Sequence, residues 1–489
     1  MTLQIHFIAK GDQTLVTQIV TWYSARIEQG VFRAASKLPS IRQFASDASV
    51  SRFTVVEAYD RLIAKGLIES RRGSGFYVRH RNPNYALKKA RDWAESPNAN
   101  IDVVWLLRNM FRQLPSGDSP GAGVLPPDWL DAELITASLR AVGRQNGAAF
   151  LDYGQPQGYL PLRQQLQLKL SAMEIAAQPE QIITTTGVTQ GLDLLAQQLL
   201  RPGDTVLVED PGWFIMFGRF VRLGVNVVGV PRLQDGPDID VLRALVIKHR
   251  PKLYVLTSVL HNPSSTSLSA AKAFQILRIA EEFNFWLAED DVYCDLHPGL
   301  LSQTQFGQSQ SQSFTRLASL DQLKRVIYLG GFSKSLAANL RVGFIACAPE
   351  LARELTDTKM LVGLTTAEFG ERVVYKVLSE GHYRRHLERL RGRLNDQRES
   401  AMRGLERLGL KPFANPGVGM FAWMDTGRDT APIARQCLEQ GFLHAPGSLF
   451  HPDQRPSTWM RFNLASSSRP TMLAALAKAL DAGSTKKQC

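Results

Sequence analysis

The chain has 489 residues, of which 44% are hydrophobic and 21% are charged. This length and composition predict two or three domains with proper cores and exclude a largely disordered chain. No apolar run approaches the length of a bilayer-spanning helix, and the start MTLQIHFIAKGDQ lacks the charged region, apolar centre and cleavage site of a signal peptide. We therefore expect a cytoplasmic protein with no membrane segment.

Charge and cysteine usage indicate which partners to expect. The net charge is +12, and residues 1–100 contain 15 Lys and Arg against 8 Asp and Glu. A basic excess at one end of a chain favours a polyanionic partner. The cysteines have no CxxC spacing, so we expect free thiols and neither a disulfide framework nor a metal site; they are Cys294, Cys347, Cys437 and Cys489.

The first eighty residues contain three predicted helices followed by a hairpin. Residues 14–29 place apolar side chains at spacings of three and four, and Gly30 ends the run. Ser40 and Ser51 are expected to cap two further short helices. The stretch GLIESRRGSGFYV then gives two β runs around a basic tip whose glycines permit positive φ. Together these elements predict a winged helix-turn-helix over residues 1–80.

The second helix of such a motif enters the DNA major groove from its N-terminal end, and the wing follows the phosphate backbone. The residues predicted to contact DNA are therefore Ser51, Arg52 and Thr54 on the reading surface and Arg42, Arg71 and Arg72 along the backbone. A three-helix unit can also serve protein contacts, so the helices alone leave two interpretations open.

The stretch from Lys37 to Val78 resembles the DNA-binding domain of the GntR family of bacterial regulators. The shared pattern comprises LPS-x-R, V-S-R-x-T-V, A-Y-x-x-L, G-L-I and G-S-G-x-x-V. The chain reads RAASKLPS where the family usually has Pro-Gly before LPS, which changes the preceding turn and not the reading surface. The resemblance implies that double-stranded operator DNA is a partner.

Beyond this domain the sequence changes character twice. Residues 81–120 are a predicted linker, because Pro, Asn and mixed charge occur without a clear apolar period until VVWLLRNMF, which should dock onto the next domain. Over residues 121–489, β-rich runs such as DTVLVED and VGFIACA alternate with helical stretches. This alternation predicts an α/β domain with a mainly parallel sheet. The Gln/Ser-rich residues 302–314 should form a surface loop.

The ends of these predicted strands carry the residues that a pyridoxal phosphate site needs. Lys334, in LGGFSKSLAANLRVGF, would form the internal aldimine. Asp290, in EDDVY, would keep the pyridine nitrogen protonated. Tyr293 and Asn262 would donate to the ring hydroxyl, and Trp213 would stack against the ring.

Two anionic groups of the bound molecules also have predicted partners. A phosphate needs helix-start amides and a cation; the residues predicted to supply them and their neighbouring contacts are Gly187, Val188, Thr189, Ser333 and Arg341. The strand arginine of WMRFNLASS, Arg461, suits a bidentate grip on a ligand carboxylate. Each signal alone also fits an ordinary structural role, so the prediction rests on their combination.

The order of these motifs resembles the fold-type I aminotransferases, in the branch of the kynurenine and aminoadipate aminotransferases, over nearly all of residues 121–480. In that family the tyrosine of YGQPQGYLPLR, here Tyr153, reaches the phosphate of the neighbouring subunit, which implies a homodimer. Gly331 stands where the family often has Ser or Thr, and Ser265 where it usually has Gly. The first departure removes a hydroxyl contact of about 1 kcal/mol, so we expect cofactor binding to survive.

A GntR-type winged helix joined to an aminotransferase-like domain is the architecture of the MocR subfamily, of which the chain is identified as a member. The resemblance implies a regulator that senses pyridoxal phosphate or an amino compound through Lys334, in a homodimer that is commonly domain-swapped. A catalytically active aminotransferase with a fused DNA-binding domain is the alternative. A DNA-binding protein whose large domain only dimerises it is disfavoured, because Lys334, Asp290, Asn262 and Arg341 are all present.

Overall fold

The structure, a computed structural model, describes residues 13–71, 73–79, 102–111, 119–145, 150–298 and 314–481. The chain divides into two compact units, Met1–Ala99 and Asn100–Cys489. Three predicted features lie wholly or mostly outside the described residues: the DNA contact Arg72, much of the linker and the loop 302–314 apart from its last residue. Among the described residues, no helix is long and apolar enough to cross a membrane.

The N-terminal unit is a winged helix, as predicted. Its elements are α1 (Leu15–Glu28), α2 (Ile41–Asp47), α3 (Arg52–Ala64), β1 (Ile68–Arg71) and β2 (Gly75–Val78). Each helix starts after a hydroxyl side chain that accepts a hydrogen bond from a first-turn amide, namely Thr14, Ser40 and Ser51. The strands pair antiparallel, and Gly73 in the turn between them has φ 74°.

Aromatic side chains fill the core between the three helices. The rings of Tyr23, Phe44 and Tyr59 are buried, with centroids 5.4, 5.9 and 6.1 Å apart. The Tyr59 hydroxyl donates to the carbonyl of Pro39 at 3.0 Å and lies 3.3 Å from the Tyr23 hydroxyl, so both buried hydroxyls have partners. This packing fixes one face of α3 and leaves its opposite face exposed.

The large unit contains an eight-stranded sheet and, later in the chain, a four-stranded sheet. The strands of the first are β3 (Ile182–Thr185), β4 (Thr205–Asp210), β5 (Asn226–Leu233), β6 (Gly236–Pro237), β7 (Leu253–Leu256), β8 (Trp286–Asp290), β9 (Val326–Gly331) and β10 (Gly343–Ala346). Their spatial order is β3-β10-β9-β8-β7-β4-β5-β6. The run from β9 to β5 is parallel, whereas β10 and β6 pair antiparallel. The predicted mainly parallel α/β sheet is confirmed.

The second sheet is antiparallel and lies in the C-terminal part of the chain. Its strands are β11 (Lys411–Pro412), β12 (Phe421–Asp425), β13 (Ala445–Pro446) and β14 (Trp459–Asn463), in the order β11-β12-β14-β13. The described helices of the large unit are α4 (Val103–Met110), α5 (Ala132–Gln145), α6 (Leu160–Ser171), α7 (Val188–Leu199), α8 (Phe214–Arg222), α9 (Ile239–His249), α10 (Ala270–Phe283), α11 (Leu317–Asp321), α12 (Pro349–Gly363), α13 (Glu368–Ser379), α14 (His382–Arg407), α15 (Thr430–Glu439) and α16 (Pro470–Asp481).

Four of the five parallel strands, β4, β7, β8 and β9, are buried along almost their whole length, which is why their sequences read as continuous apolar runs. Because they are parallel, the carboxyl ends of β4, β7, β8 and β9 meet at one edge of the sheet. Asp290 is the last residue of β8, and the segments that follow these four strands carry six other predicted site residues: Trp213, Asn262, Tyr293, Ser333, Lys334 and Arg341.

Helix α4 falls within the predicted linker but packs with the large unit. It buries Trp105, Leu106 and Asn109 and contacts α8. Its N-cap is Asp102, whose carboxylate accepts the Trp105 N–H at 2.7 Å. The predicted domain boundaries at residues 80 and 120 stay predictions.

Gly158, the last glycine of YGQPQG, has no room for a side chain. Its φ is 111°, and a Cβ there would lie 2.0 Å from Oγ1 of the buried Thr184. Gly158→Ala is expected to lower the free energy of unfolding by about 2–3 kcal/mol, through positive φ and overpacking. Gly143→Ala in α5 is the control, since its Cβ would meet nothing within 4 Å. Urea unfolding of the full chain tests this, and equal midpoints for the two variants would contradict it.

Candidate functional site

A pocket in the large unit lies where the four parallel strands end. It encloses about 520 Å³, including space open to solvent, and is lined by Val188, Thr189, Trp213, Thr257, Asn262, Asp290, Val292, Tyr293, Ser333, Lys334 and Arg341. Nine of these eleven residues are predicted site residues. Ligands of α/β proteins bind outside the carboxyl ends of parallel strands, and this pocket has that location.

Lys334 lies on the turn after β9, with its Nζ 5.7 Å from the ring centroid of Tyr293. Burial lowers the pKa of this amine to about 8, and the positive charges of Arg461 and Arg341 act in the same direction. Asp290 opposes the shift. A larger fraction of the amine is therefore neutral and nucleophilic near pH 7 than in an ordinary lysine.

Asp290 ends strand β8 and is buried. Burial raises the pKa of its carboxyl group to about 7, although the Val292 N–H donates to it at 3.3 Å. Because this one hydrogen bond does not offset the cost of burying the charged form, the carboxyl group favours a cationic partner beside it. Tyr293 follows on the same segment, and burial raises the pKa of its hydroxyl, which stays a proton donor at neutral pH.

The other end of the pocket is formed by the start of α7 and the segment after Lys334. Gly187 precedes α7 with φ 75°, and a Cβ there would lie 2.6 Å from Nη2 of Arg341. The Arg341 guanidinium donates to the carbonyl of Thr186 at 2.9 Å and to Oγ of Ser333 at 3.3 Å. The first amides of a helix lack intrahelical partners, so this end combines free N–H groups with a cation.

Arg461 on β14 is buried beside the pocket. It does not line the pocket but donates a hydrogen bond to Asn262, which does. Its Nη1 donates to Oδ1 of Asn262 at 2.7 Å and its Nη2 to the carbonyl of Gly121 at 2.5 Å. The rings of Phe421 and Phe450 lie 4.5 and 5.0 Å from its guanidinium carbon. Burial lowers its pKa to about 10, and its Nε has no hydrogen-bond partner among the described residues. Such a cation favours an anionic ligand group.

The unusual Ser265 has a structural explanation. Its φ is 55°, a conformation that favours glycine, which is the residue expected there from the resemblance. The Ser265 hydroxyl accepts the N–H of Phe421 at 3.1 Å. This bond ties the segment of Asn262 to strand β12, whose Phe421 ring lies beside Arg461.

Tyr153 is the predicted site residue that the structure keeps away from the pocket. Its side chain is 76% exposed, and it does not line the pocket of its own chain. Its predicted contact with a partner subunit stays a prediction. Two lining residues, Thr257 and Val292, and the Gly121 carbonyl were missed. Their positions next to strand ends were the available signal for the first two, whereas a backbone carbonyl leaves none.

The first turn of α3 is the predicted DNA-reading surface. The Ser51 hydroxyl accepts the Thr54 N–H at 3.0 Å and lies 2.8 Å from the Thr54 hydroxyl, so both side chains take part in the helix cap. Arg52 is exposed beside them. Phe53, which the sequence reasoning missed, is 77% exposed on the same turn.

The arginines predicted to contact the DNA backbone differ in the contacts that the structure gives their side chains. Arg42, at the start of α2, is exposed. Arg71 on β1 donates from Nε to Glu69 at 2.8 Å, and its guanidinium carbon lies 4.5 Å from the ring centroid of Tyr77. Binding of a phosphate by Arg71 would therefore compete with an existing ion pair.

Comparison with known proteins matches both units. The family model "Aminotransferase class I and II" matches residues 113–480, and the model "Bacterial regulatory proteins, gntR family" matches residues 16–78. The chain belongs to the aminotransferase class I and II family and carries a GntR-type domain. This combination is that of the MocR subfamily, as the motifs predicted.

Relatives share either the whole MocR-type architecture or its large domain. The uncharacterized HTH-type transcriptional regulator YisV of Bacillus subtilis is 27% identical over 94% of each chain. The probable rhizopine catabolism regulatory protein MocR of Rhizobium meliloti is 27% identical over 90% of this chain and 88% of its own. The crystal structure of LysN, the alpha-aminoadipate aminotransferase of Thermus thermophilus complexed with N-(5'-phosphopyridoxyl)-L-leucine, is 26% identical and matches with a TM-score of 0.68 over 82% of this chain and 98% of its own.

Three observations show that the pocket of this MocR-type chain fits a pyridoxal phosphate. The carboxyl group of Asp290 is buried with a raised pKa, as a partner of a ring nitrogen would be. The start of α7 lies against Arg341 at Gly187, whose φ of 75° favours glycine and where a Cβ would displace the Arg341 guanidinium, so helix-start amides lie beside a cation. The amine of Lys334 faces the same space with a lowered pKa.

The pKa of Lys334 predicts how its reactivity depends on pH. The neutral amine is the reactive form, so labelling by an amine-directed acylating reagent should rise with pH through a midpoint near 8, against about 10.4 for an ordinary lysine. Mass spectrometry of the full chain after short pulses at several pH values would measure it, with exposed lysines as internal controls. A midpoint for Lys334 that coincided with theirs would contradict the pocket's electrostatics.

Proposed function

We propose that the protein is a pyridoxal-phosphate-dependent transcriptional regulator, which binds DNA through its winged helix and senses pyridoxal phosphate or an amino compound at Lys334. The observation that carries this proposal is one pocket lined by Lys334, Asp290, Asn262 and Arg341 in a chain that also has a GntR-type domain. Every relative named above that shares both parts bears the name of a regulator. A soluble location in the cytoplasm, where DNA is accessible, fits this function.

The pocket residues have distinct proposed roles toward the cofactor. When bound, pyridoxal phosphate supplies an aldehyde for covalent attachment and an electron sink. Lys334 would hold it covalently, and Asp290 would keep its ring nitrogen protonated. Asn262 and Tyr293 would donate to the ring hydroxyl, and Trp213 would cover one ring face.

The phosphate and the ligand would occupy opposite ends of the pocket. The amides of Val188 and Thr189, the Ser333 hydroxyl and Arg341 would receive the phosphate. Arg461 would receive an anionic group of the amino compound, because it is a buried cation with no carboxylate partner among the described residues. The effector is accordingly an amine that also carries a carboxylate or a similar anion.

A working aminotransferase is the second candidate function. The likeness to the alpha-aminoadipate aminotransferase LysN favours it, since the large unit has the same fold and the proposed site retains an amine, an acid and a carboxylate-binding arginine. The regulator is preferred because the chain also contains the GntR-type unit, which a transaminase does not require. A large domain that served only to dimerise the protein would not need nine predicted cofactor residues in one pocket.

Two further parts of the proposal concern partners. Exposed Tyr153, together with the apolar side chains of Leu151, Leu361 and Leu364, which are 89%, 90% and 55% exposed, supports a homodimer in which Tyr153 completes the partner's site. Domain swapping of that dimer is carried over from the subfamily. On DNA, Ser51, Arg52 and Thr54 would lie in the major groove, and Arg42, Arg71 and Arg72 would follow the phosphates.

Lys334→Ala should abolish covalent attachment of the cofactor. Borohydride reduction of the unmutated, cofactor-loaded protein should leave a phosphopyridoxyl group on Lys334, as found by peptide mass spectrometry. Lys359 is an internal control, because burial also lowers its pKa to about 8 while its Nζ donates to the Thr184 carbonyl at 2.8 Å, outside the pocket. A group found on Lys359, or covalent uptake with a normal response in Lys334→Ala, would contradict the proposed role.

Arg52→Ala should weaken binding to a DNA site selected from a random pool by the unmutated protein, by about 1–3 kcal/mol. The matched control is Arg61→Ala, which removes the same charge from the other end of α3, where Arg61 pairs with Glu57 at 2.7 Å. Titrations at moderate salt would measure both. An unchanged affinity for Arg52→Ala, or equal losses in both variants, would remove Arg52 from the reading surface.

A further inference from the structure

The residue after Lys334 is held from two sides by one helix. Ser335 is buried, and its Oγ lies 2.5 Å from the hydroxyl of Tyr383. Its carbonyl oxygen lies 2.7 Å from Nε2 of His386. Both partners belong to the first turns of α14, and neither lines the pocket. The main chain and the side chain of Ser335 are therefore both fixed by groups outside the site described above.

The proton positions in the contact between His386 and Ser335 follow from the other partners of His386. Nη2 of Arg389 lies 2.9 Å from Nδ1 of His386, and a guanidinium group can only donate. Nδ1 must therefore accept, which leaves the proton on Nε2, where it is donated to the Ser335 carbonyl. Arg389 is held in turn by Asp131 at 3.0 Å. His386 is thus a neutral imidazole with one defined tautomer.

The proton positions in the contact between Tyr383 and Ser335 follow in the same way. The Tyr383 hydroxyl lies 2.6 Å from Oδ2 of Asp295, which also pairs with Lys169. Although burial opposes it, the charge of Lys169 holds the pKa of Asp295 below its usual value, so this carboxylate accepts. Tyr383 therefore donates to Asp295 and accepts from the Ser335 hydroxyl. Asp295 lies two residues after Tyr293, on the segment that follows Asp290. The contacts of Tyr383 therefore connect this segment to the one that carries Lys334.

We propose that Tyr383 and His386 are positioning residues, which hold the Lys334 amine in the pocket through Ser335. This inference rests on the proposed function of Lys334 and adds the residues that set its geometry. The long lysine side chain starts from a turn, and a fixed turn is what keeps its flexible end directed at the pocket. A buried polar network of this kind specifies one arrangement where apolar side chains of similar size would permit several.

The pKa of the Lys334 amine should rise when this support is lost. It is faced by Arg461 from β14, Arg341 from the segment after the lysine, Asp290 from β8 and the hydroxyl of Tyr293. Loosening the turn would admit water, and hydration favours the charged form of the amine. Covalent attachment needs the neutral form, because its lone pair adds to the aldehyde and a water molecule leaves.

The test compares Tyr383→Phe with Tyr254→Phe in the full chain. Tyr254 is another buried tyrosine, and its hydroxyl has no partner among the described residues, so its loss should change nothing at Lys334. For Tyr383→Phe we expect the pH midpoint of pyridoxal phosphate uptake to rise above that of the unmutated protein, and cofactor release to be about three to ten times faster, as the loss of one hydrogen bond allows. Equal midpoints and release rates for both variants would overturn the proposal.

His386 provides a second test by conservative rescue. His386→Ala should show the same upward shift of the uptake midpoint, and His386→Gln should recover it in part, because its side-chain amide can donate to the Ser335 carbonyl. A glutamine variant no better than the alanine variant would overturn the role of His386. Should Tyr383→Phe fail to fold, Ser335→Ala takes its place, since it leaves the Tyr383 bond to Asp295 intact.

These outcomes are separable from failure of the proposed function. If the unmutated protein took up no cofactor at Lys334, the proposed function and this inference would both be wrong. If it took up the cofactor and all variants behaved alike, the proposed function would stand and the positioning role would fall.

Discussion

Three ionisable groups in or beside the pocket, Lys334, Asp290 and Arg461, have charges that are only partly compensated. Burial lowers the pKa of Lys334 and that of Arg461 and raises the pKa of Asp290, and Arg461 keeps an Nε without a partner among the described residues. Burying charge without compensation is unfavourable for the protein alone. In the proposed function, a cofactor with its cationic ring nitrogen at Asp290 and an amino compound with its anion at Arg461 would remove that penalty, so the arrangement would favour the binding of both.

The sheet makes this concentration of charge possible. Four parallel strands end at one edge, and their following segments bring together residues that lie far apart in the chain. Nearby buried charges that are not needed for binding are paired, as Arg232 is with Glu209. For a regulator, ligand binding can alter DNA affinity only to the extent that the ligand binds two arrangements of the protein unequally. The amine and the arginine of this pocket are groups through which such a preference could act.

Much of this could be predicted from the sequence because the signals were local. Helix caps at Ser40 and Ser51, the wing hairpin and the apolar runs of the parallel strands depend on neighbouring residues, and each was found. Pocket residues could be predicted where a motif placed a suitable residue type at or directly after the end of a predicted strand. What could not be predicted depends on distant contacts: the Gly121 carbonyl on Arg461, and Tyr383 and His386 on Ser335. A carbonyl carries no side-chain signal, and a tyrosine in a charged helix has no visible partner in the sequence.

We propose that the pocket binds an amino compound as a signal and does not convert it. The most direct measurement is the visible absorption spectrum of the cofactor-loaded protein during titration with a panel of amino acids and related amines. We expect a stable spectral shift with one compound that carries an anionic group, without conversion of the cofactor to pyridoxamine phosphate and without release of a keto acid. Steady conversion to pyridoxamine phosphate with keto acid release would contradict it and establish an aminotransferase.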